Sequence, residues 1–103
     1  MEEGFKLGDE IISMLEEISS SVSGSRIFWR LLRNGEMSLS EIIRQTNLNH
    51  NVVKKRISRM VEMGLVKEKS FGRIRIYMIN QGNPSIRLLL DLVKKTSYEP
   101  LRE

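Results

Sequence analysis

The chain has no cysteine and a single histidine among its 103 residues. Without thiols there is no disulfide framework, zinc ribbon, thiolate nucleophile or iron–sulfur site, and one imidazole leaves few nitrogen ligands. No metal and no cofactor is expected. Proline is scarce: Pro84 and Pro100, both near the C-terminal end, are the only two. With no Pro-rich linker, internal repeat or low-complexity tract, residues 1–103 read as one domain. Long apolar runs are missing as well; none approaches the ~20 residues of a membrane span. The opening "MEEGFKLGDE" is acidic where a secretory signal would be basic. A soluble, cytoplasmic protein with no membrane partner is expected. No Gly-rich loop follows a strand and no Ser has a His–acid pair in sight, so an enzyme is not expected.

What the chain does have is charge, unevenly distributed. Its formal net charge is +4. Residues 1–24 hold six acids and one base, net −5, whereas residues 49–75 hold eight bases and two acids, net +6. A compact basic segment in a nearly balanced protein is an electrostatic footprint, and phosphate backbones are its most common partner. The competing reading is a solvated helix face.

Apolar spacing organises the rest. From about Gly8 to Val22, the residues Ile11, Ile12, Leu15, Ile18 and Val22 recur at helical intervals with Glu10, Glu16 and Glu17 opposite, giving an acidic amphipathic helix. "SRIFWRLLRNG" predicts a second helix that turns Ile27, Phe28, Leu31 and Leu32 inward, with Trp29 partly at an interface, and stops at Asn34-Gly35. Ser38, followed three residues later by Glu41, forms a capping box that starts a short third helix. Asn49 caps a fourth, "HNVVKKRISRMVEMG", which Gly64 ends. From Leu65 the period becomes two. "LVKEKS" and "RIRIYMI" alternate around "FG", the pattern of a hairpin. "NPSIRLLLDLVKKT" then opens with Asn83 as cap and Pro84 at the first helical position, placing Ile86, Leu89, Leu90 and Val93 on one face. The polar tail "SYEPLRE" is expected to fray.

A helical wheel drawn at ~100° per residue with Val53 facing the core puts Ile57 and Met60 beside it. Asn51, Lys55 and Ser58 then fall opposite, flanked by Lys54 and Arg59. This inventory suits a major groove, since Asn pairs with adenine, Lys or Arg with guanine, and Ser with phosphate or either base edge. The helix N-terminus usually reaches the bases, so His50, Asn51, Val52 and Lys55 are the base-reading candidates, with Asn49, Lys54, Ser58 and Arg59 completing the surface. Arg56 runs along the helix edge, its stem packed and its head in water, and Glu62 lies beyond groove contact. Lys67, Lys69, Ser70, Arg73 and Arg75 surround the hairpin turn and are assigned to the phosphate backbone or minor groove. Phe71 at that turn is expected to cover its own strands. Ser38 and Ser40 are further candidates for the DNA backbone.

The run from "SRIFWRLLRNG" to "FGRIRIYMIN" resembles the winged helix-turn-helix regulators of the ArsR, MarR and PadR type. The likeness rests on Ser40-Glu41-Ile42 in the first helix of the motif, Leu48 in the turn, Val53 and Ile57 inward on the second, and "MGLV" at 63–66. "FGRIRIYMIN" completes it as a second wing strand, with Gly72 at the turn and Tyr77 near its end. The resemblance implies a mainly α fold with a small β-hairpin: a winged helix-turn-helix core at 24–80, an N-terminal flanking helix in 1–23 and a C-terminal dimerisation helix at 83–98. ArsR-type metal sensors carry thiolate ligands that this chain lacks. MarR-type proteins form a ligand pocket from longer flanking helices than these, so no small-molecule effector is expected.

In the resembling families the flanking helices form the dimer, which implies a two-fold homodimer with Ile11, Ile12, Leu15, Ile18, Leu89, Leu90 and Val93 at or near its interface. The rival is that both helices fold onto the chain's own core. The leading function is sequence-specific binding of double-stranded DNA by a homodimeric transcriptional repressor. A DNA-coating or segregation protein of the same fold is an alternative that the sequence does not separate from it. A protein-binding winged helix is a third, disfavoured by the basic outer face of the fourth helix.

Overall fold

A computed structural model describes residues 2–19 and 22–96, with side chains from Gly8 to Lys95. The tail from Ser97 onward, including the last two residues of the expected C-terminal helix, lies outside the described residues. Five helices and three strands follow in the order α1 (Glu2–Ser19), α2 (Val22–Asn34), β1 (Met37–Ser38), α3 (Leu39–Thr46), α4 (His50–Glu62), β2 (Val66–Phe71), β3 (Ile74–Ile79) and α5 (Pro84–Thr96).

The capping box reads as expected. The Ser38 hydroxyl accepts from the Glu41 backbone N–H at 3.2 Å, while the Ser38 N–H donates to Glu41 Oε1 at 2.8 Å. Asn47, in the left-handed region with φ 60°, closes α3 by donating its N–H to Ile43 O. Arg26 of α2 donates to the Thr46 carbonyl at 3.2 Å, bringing a cation to the negative end of that helix. Asn49 Oδ1 then accepts from the Asn51 N–H at 2.7 Å and starts α4. Replacing Ser38 by Ala is expected to lower stability by about 1 kcal/mol, as loss of a cap does. A urea melt checks this, and an unchanged midpoint would show the box to be idle.

Val53, Ile57 and Met60 anchor α4 in the core with Ile27, Leu31, Ile42 and Ile86, all almost fully buried. Burying such a side chain contributes about 1.5–3 kcal/mol, so three of them fix the rotation of α4 and therefore what it shows to solvent. Gly64, at φ +78°, supplies the left-handed turn that stops the helix. Its carbonyl accepts from the Asn80 and Asn83 side-chain amides at 2.8 and 3.0 Å, which ties the end of α4 to the end of β3 and the start of α5.

The hairpin pairs Val66 with Ile79 through to Phe71 with Ile74, leaving Gly72-Arg73 as the two-residue turn, with Gly72 at φ +63°. The turn thus lies one residue further along than the "FG" pattern implies. β1 is not legible as a strand in the sequence, because two residues carry no periodicity. It pairs with β3, Met37 opposite Tyr77, and gives an antiparallel sheet in the order β1-β3-β2.

The first helix is shorter at its C-terminal end than its apolar stripe implies. Val22 does not continue α1; it opens α2 and is exposed. Gly24 explains the close join: a Cβ there would stand 3.0 Å from the Ile18 carbonyl oxygen and 3.1 Å from that of Glu17. Those are backbone atoms of the last turn of α1, so only glycine lets α2 approach it so nearly.

A candidate nucleic-acid interface

The solvent side of α4 carries His50, Asn51, Val52, Lys54, Lys55 and Ser58, all exposed. Asn51 uses only its backbone N–H in the cap and is exposed, whereas the Oδ1 of Asn49 is engaged. Beyond this stretch the character of the helix changes. Arg56 Nη1 lies 3.4 Å from Glu17 Oε2 and Arg59 Nε 3.5 Å from Glu17 Oε1, and Arg59 also faces Glu62 at 3.9 Å. The two arginines of α4 are thus drawn toward α1, and Lys54 and Lys55 are exposed. In the sequence Glu17 is only one acid on a solvated face. Its pairing across 39 and 42 residues has no local signal.

The wing divides by face, as the alternation of a strand requires. Ser70, Arg75, Glu68 and Tyr77 share the face that turns toward the helices, and Lys67, Lys69, Phe71, Ile74 and Ile76 share the other. Arg73 stands in the turn. The five wing candidates therefore do not form one cluster: Lys69 Nζ lies 3.6 Å from Glu36 Oε2, and Arg75 Nε 3.4 Å from Glu68 Oε2. Phe71, expected to cover its own strands, is instead 60% exposed. Phe71 lies on the strand face that turns away from the helices, so they do not cover it.

Between wing and helices lies an open cleft of ≈ 590 Å³, bordered by Ser38, Ser40, Lys54, Ser58, Arg73 and Arg75 among others. Residues far apart in the chain, from Ser38 to Tyr77, thus converge on one groove, with three basic side chains and several hydroxyls on its walls and Glu68 paired inside it. Ser40 is exposed there, whereas the Ser38 oxygen already accepts the cap bond. Tyr77 forms part of the lining, and its phenol is pushed above its ordinary value, chiefly by burial and also by the Glu68 charge, with Arg75 pulling the other way. A group whose folded pKa is raised contributes stability that is present below its ordinary value of 10.0 and is lost as pH rises through the raised one. The Tyr77→Phe chain is expected to lose less stability than the native chain between about pH 9 and pH 11. Parallel urea melts of the two chains across that range check this, and an identical pH dependence would show the idea to be wrong.

The flanking helices divide the expected dimer set. Ile11, Ile18, Leu89 and Leu90 pack against the chain's own core, and Val93 is half-buried. Ile12 at 55% and Leu15 at 45% exposed remain on the surface of α1, joined by Leu88 at 46% and Leu92 at 58% on α5. Those two leucines of α5 lie outside the face that the sequence pattern picks out. Among the described residues no group of His, Asp and Glu could hold a metal ion, and no helix is long and apolar enough to cross a membrane.

A helix, a short strand, two further helices and a two-stranded wing, arranged in this order, define a winged helix-turn-helix, and this is the fold of the chain. A family model described as winged helix-turn-helix DNA-binding matches residues 25–67. Among solved structures, reduced HlyU from Vibrio cholerae superposes with a TM-score of 0.71 at 14% identity, covering 96% of this chain and 100% of that one. The transcriptional repressor BigR from Xylella fastidiosa gives 0.71 at 17%, covering 95% and 97%. The homodimeric winged helix-turn-helix DNA-binding domain of Mb0332 from Mycobacterium bovis, a possible ArsR-family regulator, gives 0.66 at 15%, covering 96% and 95%. A search of curated protein sequences finds no match. The resemblance read from the sequence is thus met at the level of the fold, flanking helices included.

Proposed function

We propose that this chain is a homodimeric transcriptional regulator that binds double-stranded DNA sequence-specifically and represses by occupying its site. The observation that carries the reading is the outer face of α4: Asn51, Val52, Lys54, Lys55 and Ser58 project from a helix whose opposite side is locked into the core. The α4 N-terminal turns enter the major groove, with Asn51 and Lys55 on base edges, and the cleft beside them takes the phosphate backbone through Lys54, Ser58, Ser40 and Arg73. Association through α1 and α5 presents two such helices about 34 Å apart, one turn of DNA. The homodimeric state of the Mb0332 domain, which shares the fold, supports this arrangement.

The test is an anisotropy titration against the duplex upstream of the chain's own gene and a shuffled duplex of equal length, at one physiological salt concentration. A gap of about several hundredfold or more is expected for a site-specific regulator. Near-equal tight binding would replace the reading with a DNA-coating protein. No binding to either duplex would overturn it in favour of a protein partner.

A further inference from the structure

The wing tip is not built like a loop that only touches phosphates. Phe71 and Ile74 are directly paired across the hairpin, flank the Gly72-Arg73 turn, and are 60% and 57% exposed. Two large apolar side chains therefore stand side by side, exposed, at the tip of the wing. Arg73 lies between them in the chain; Lys69, two pairings along on the same face, faces Glu36, and Arg75, on the opposite face, faces Glu68. Ile74 also borders the cleft that Lys54, Ser58 and Arg73 line, so one member of the apolar pair adjoins the surface assigned to DNA.

We propose that Phe71 and Ile74 form an apolar wedge that enters the minor groove beside the recognised half-site, unstacks a base step there and bends the duplex. The inference rests on the DNA-binding reading above and adds a deformation to it. Charge complementarity selects the occupant, since an apolar pair with the Arg73 cation between its members suits a surface that is anionic at its rims and apolar within. Apolar side chains inserted between base steps from the minor groove bend DNA by about 20–90°. The geometry also requires some opening of the groove. Side chains on backbones about 5 Å apart are together broader than a minor groove of about 6 Å. Arg73, between them, is placed to follow the groove wall.

The test uses the full chain and the duplex it selects from a randomised pool, labelled at both ends for energy transfer and carrying 2-aminopurine at successive positions flanking the half-sites. Binding is expected to raise 2-aminopurine emission several-fold at one step per half-site and to bring the ends closer. The Phe71→Thr/Ile74→Thr chain, which keeps β-branched residues in the hairpin, is expected to bind the same duplex while leaving it straight and stacked. Native binding without any rise in emission would overturn the wedge and leave DNA binding intact. The wedge is equally overturned if the double variant bends and unstacks the duplex as the native chain does, or if its only change is a smaller assembly, which would make the tip a protein contact. Should the double variant fail to fold, the native 2-aminopurine signal alone decides. Recovery of no duplex from the pool would overturn the DNA-binding reading itself.

Discussion

A chain carrying Leu15→Glu and Leu92→Glu is expected to fold, to sediment as a monomer, and to lose about two to four orders of magnitude in affinity for a duplex with two half-sites. Both positions are about half exposed in the single chain and neither belongs to its core, so the substitutions create no core cavity and strand no charge there. In the proposed dimer the same positions are covered. Each glutamate would then have to be desolvated, without a partner, against the apolar surface formed by Ile12 and Leu88. The large loss of DNA affinity follows from avidity rather than from any lost contact, because a second recognition helix tethered to the first binds at high effective concentration. Sedimentation equilibrium and anisotropy on duplexes with one and two half-sites separate the effects. The one-site affinity should barely move. A variant that remains dimeric would sink the interface, and a monomer that binds the two-site duplex undiminished would sink the geometry.

The second large effect concerns the reading surface. Asn51→Ala and Lys55→Ala are each expected to lose about 1–3 kcal/mol on the preferred duplex, about 5- to 150-fold, and much less on other sequences. The cap survives the first substitution because Asn51 contributes only its main-chain N–H to it, and Lys55 is exposed, with the nearby Glu17 and Glu62 facing Arg56 and Arg59 instead. Arg73→Ala should weaken every duplex alike and reduce the slope of log affinity against log salt by about 1. Arg73 is a cleaner probe than Arg75, whose removal would also release Glu68 and Tyr77. Titrations of the three variants on matched and shuffled duplexes at several salt concentrations provide the check. Equal losses for all three on every duplex would show that Asn51 and Lys55 do not read bases.

Much of the fold and half of the site are readable along the chain, for local reasons. Caps at Ser38, Asn49 and Asn83 act within three residues, and the glycine stop at Gly64 acts on its own turn. The wheel of α4 places Val53, Ile57 and Met60 inside and Asn51, Lys55 and Ser58 outside because the helix period alone sets those directions. Legibility ends wherever a contact joins distant segments. Charge alone groups Lys67 and Lys69 with Arg73 and Arg75, yet strand alternation and the register of β2 on β3 send the two lysines and Arg75 to different faces.

By itself the sequence determined the order of the helices and the hairpin, the capped starts of α3, α4 and α5, the buried face of α4 and the compact basic segment, since these follow from period, capping chemistry and composition. Tertiary structure alone decided which cations stay open and which are held. Glu17 reaches across 39 and 42 residues to Arg56 and Arg59, and the packing that puts it there depends on Gly24 letting α1 and α2 meet at backbone contact. It also decided that Ile11, Ile18, Leu89 and Leu90 are satisfied within the chain while Ile12, Leu15, Leu88 and Leu92 are left in water. A periodic pattern states that a face is apolar, but only the packed arrangement of all the helices determines how much of that face the chain can cover for itself.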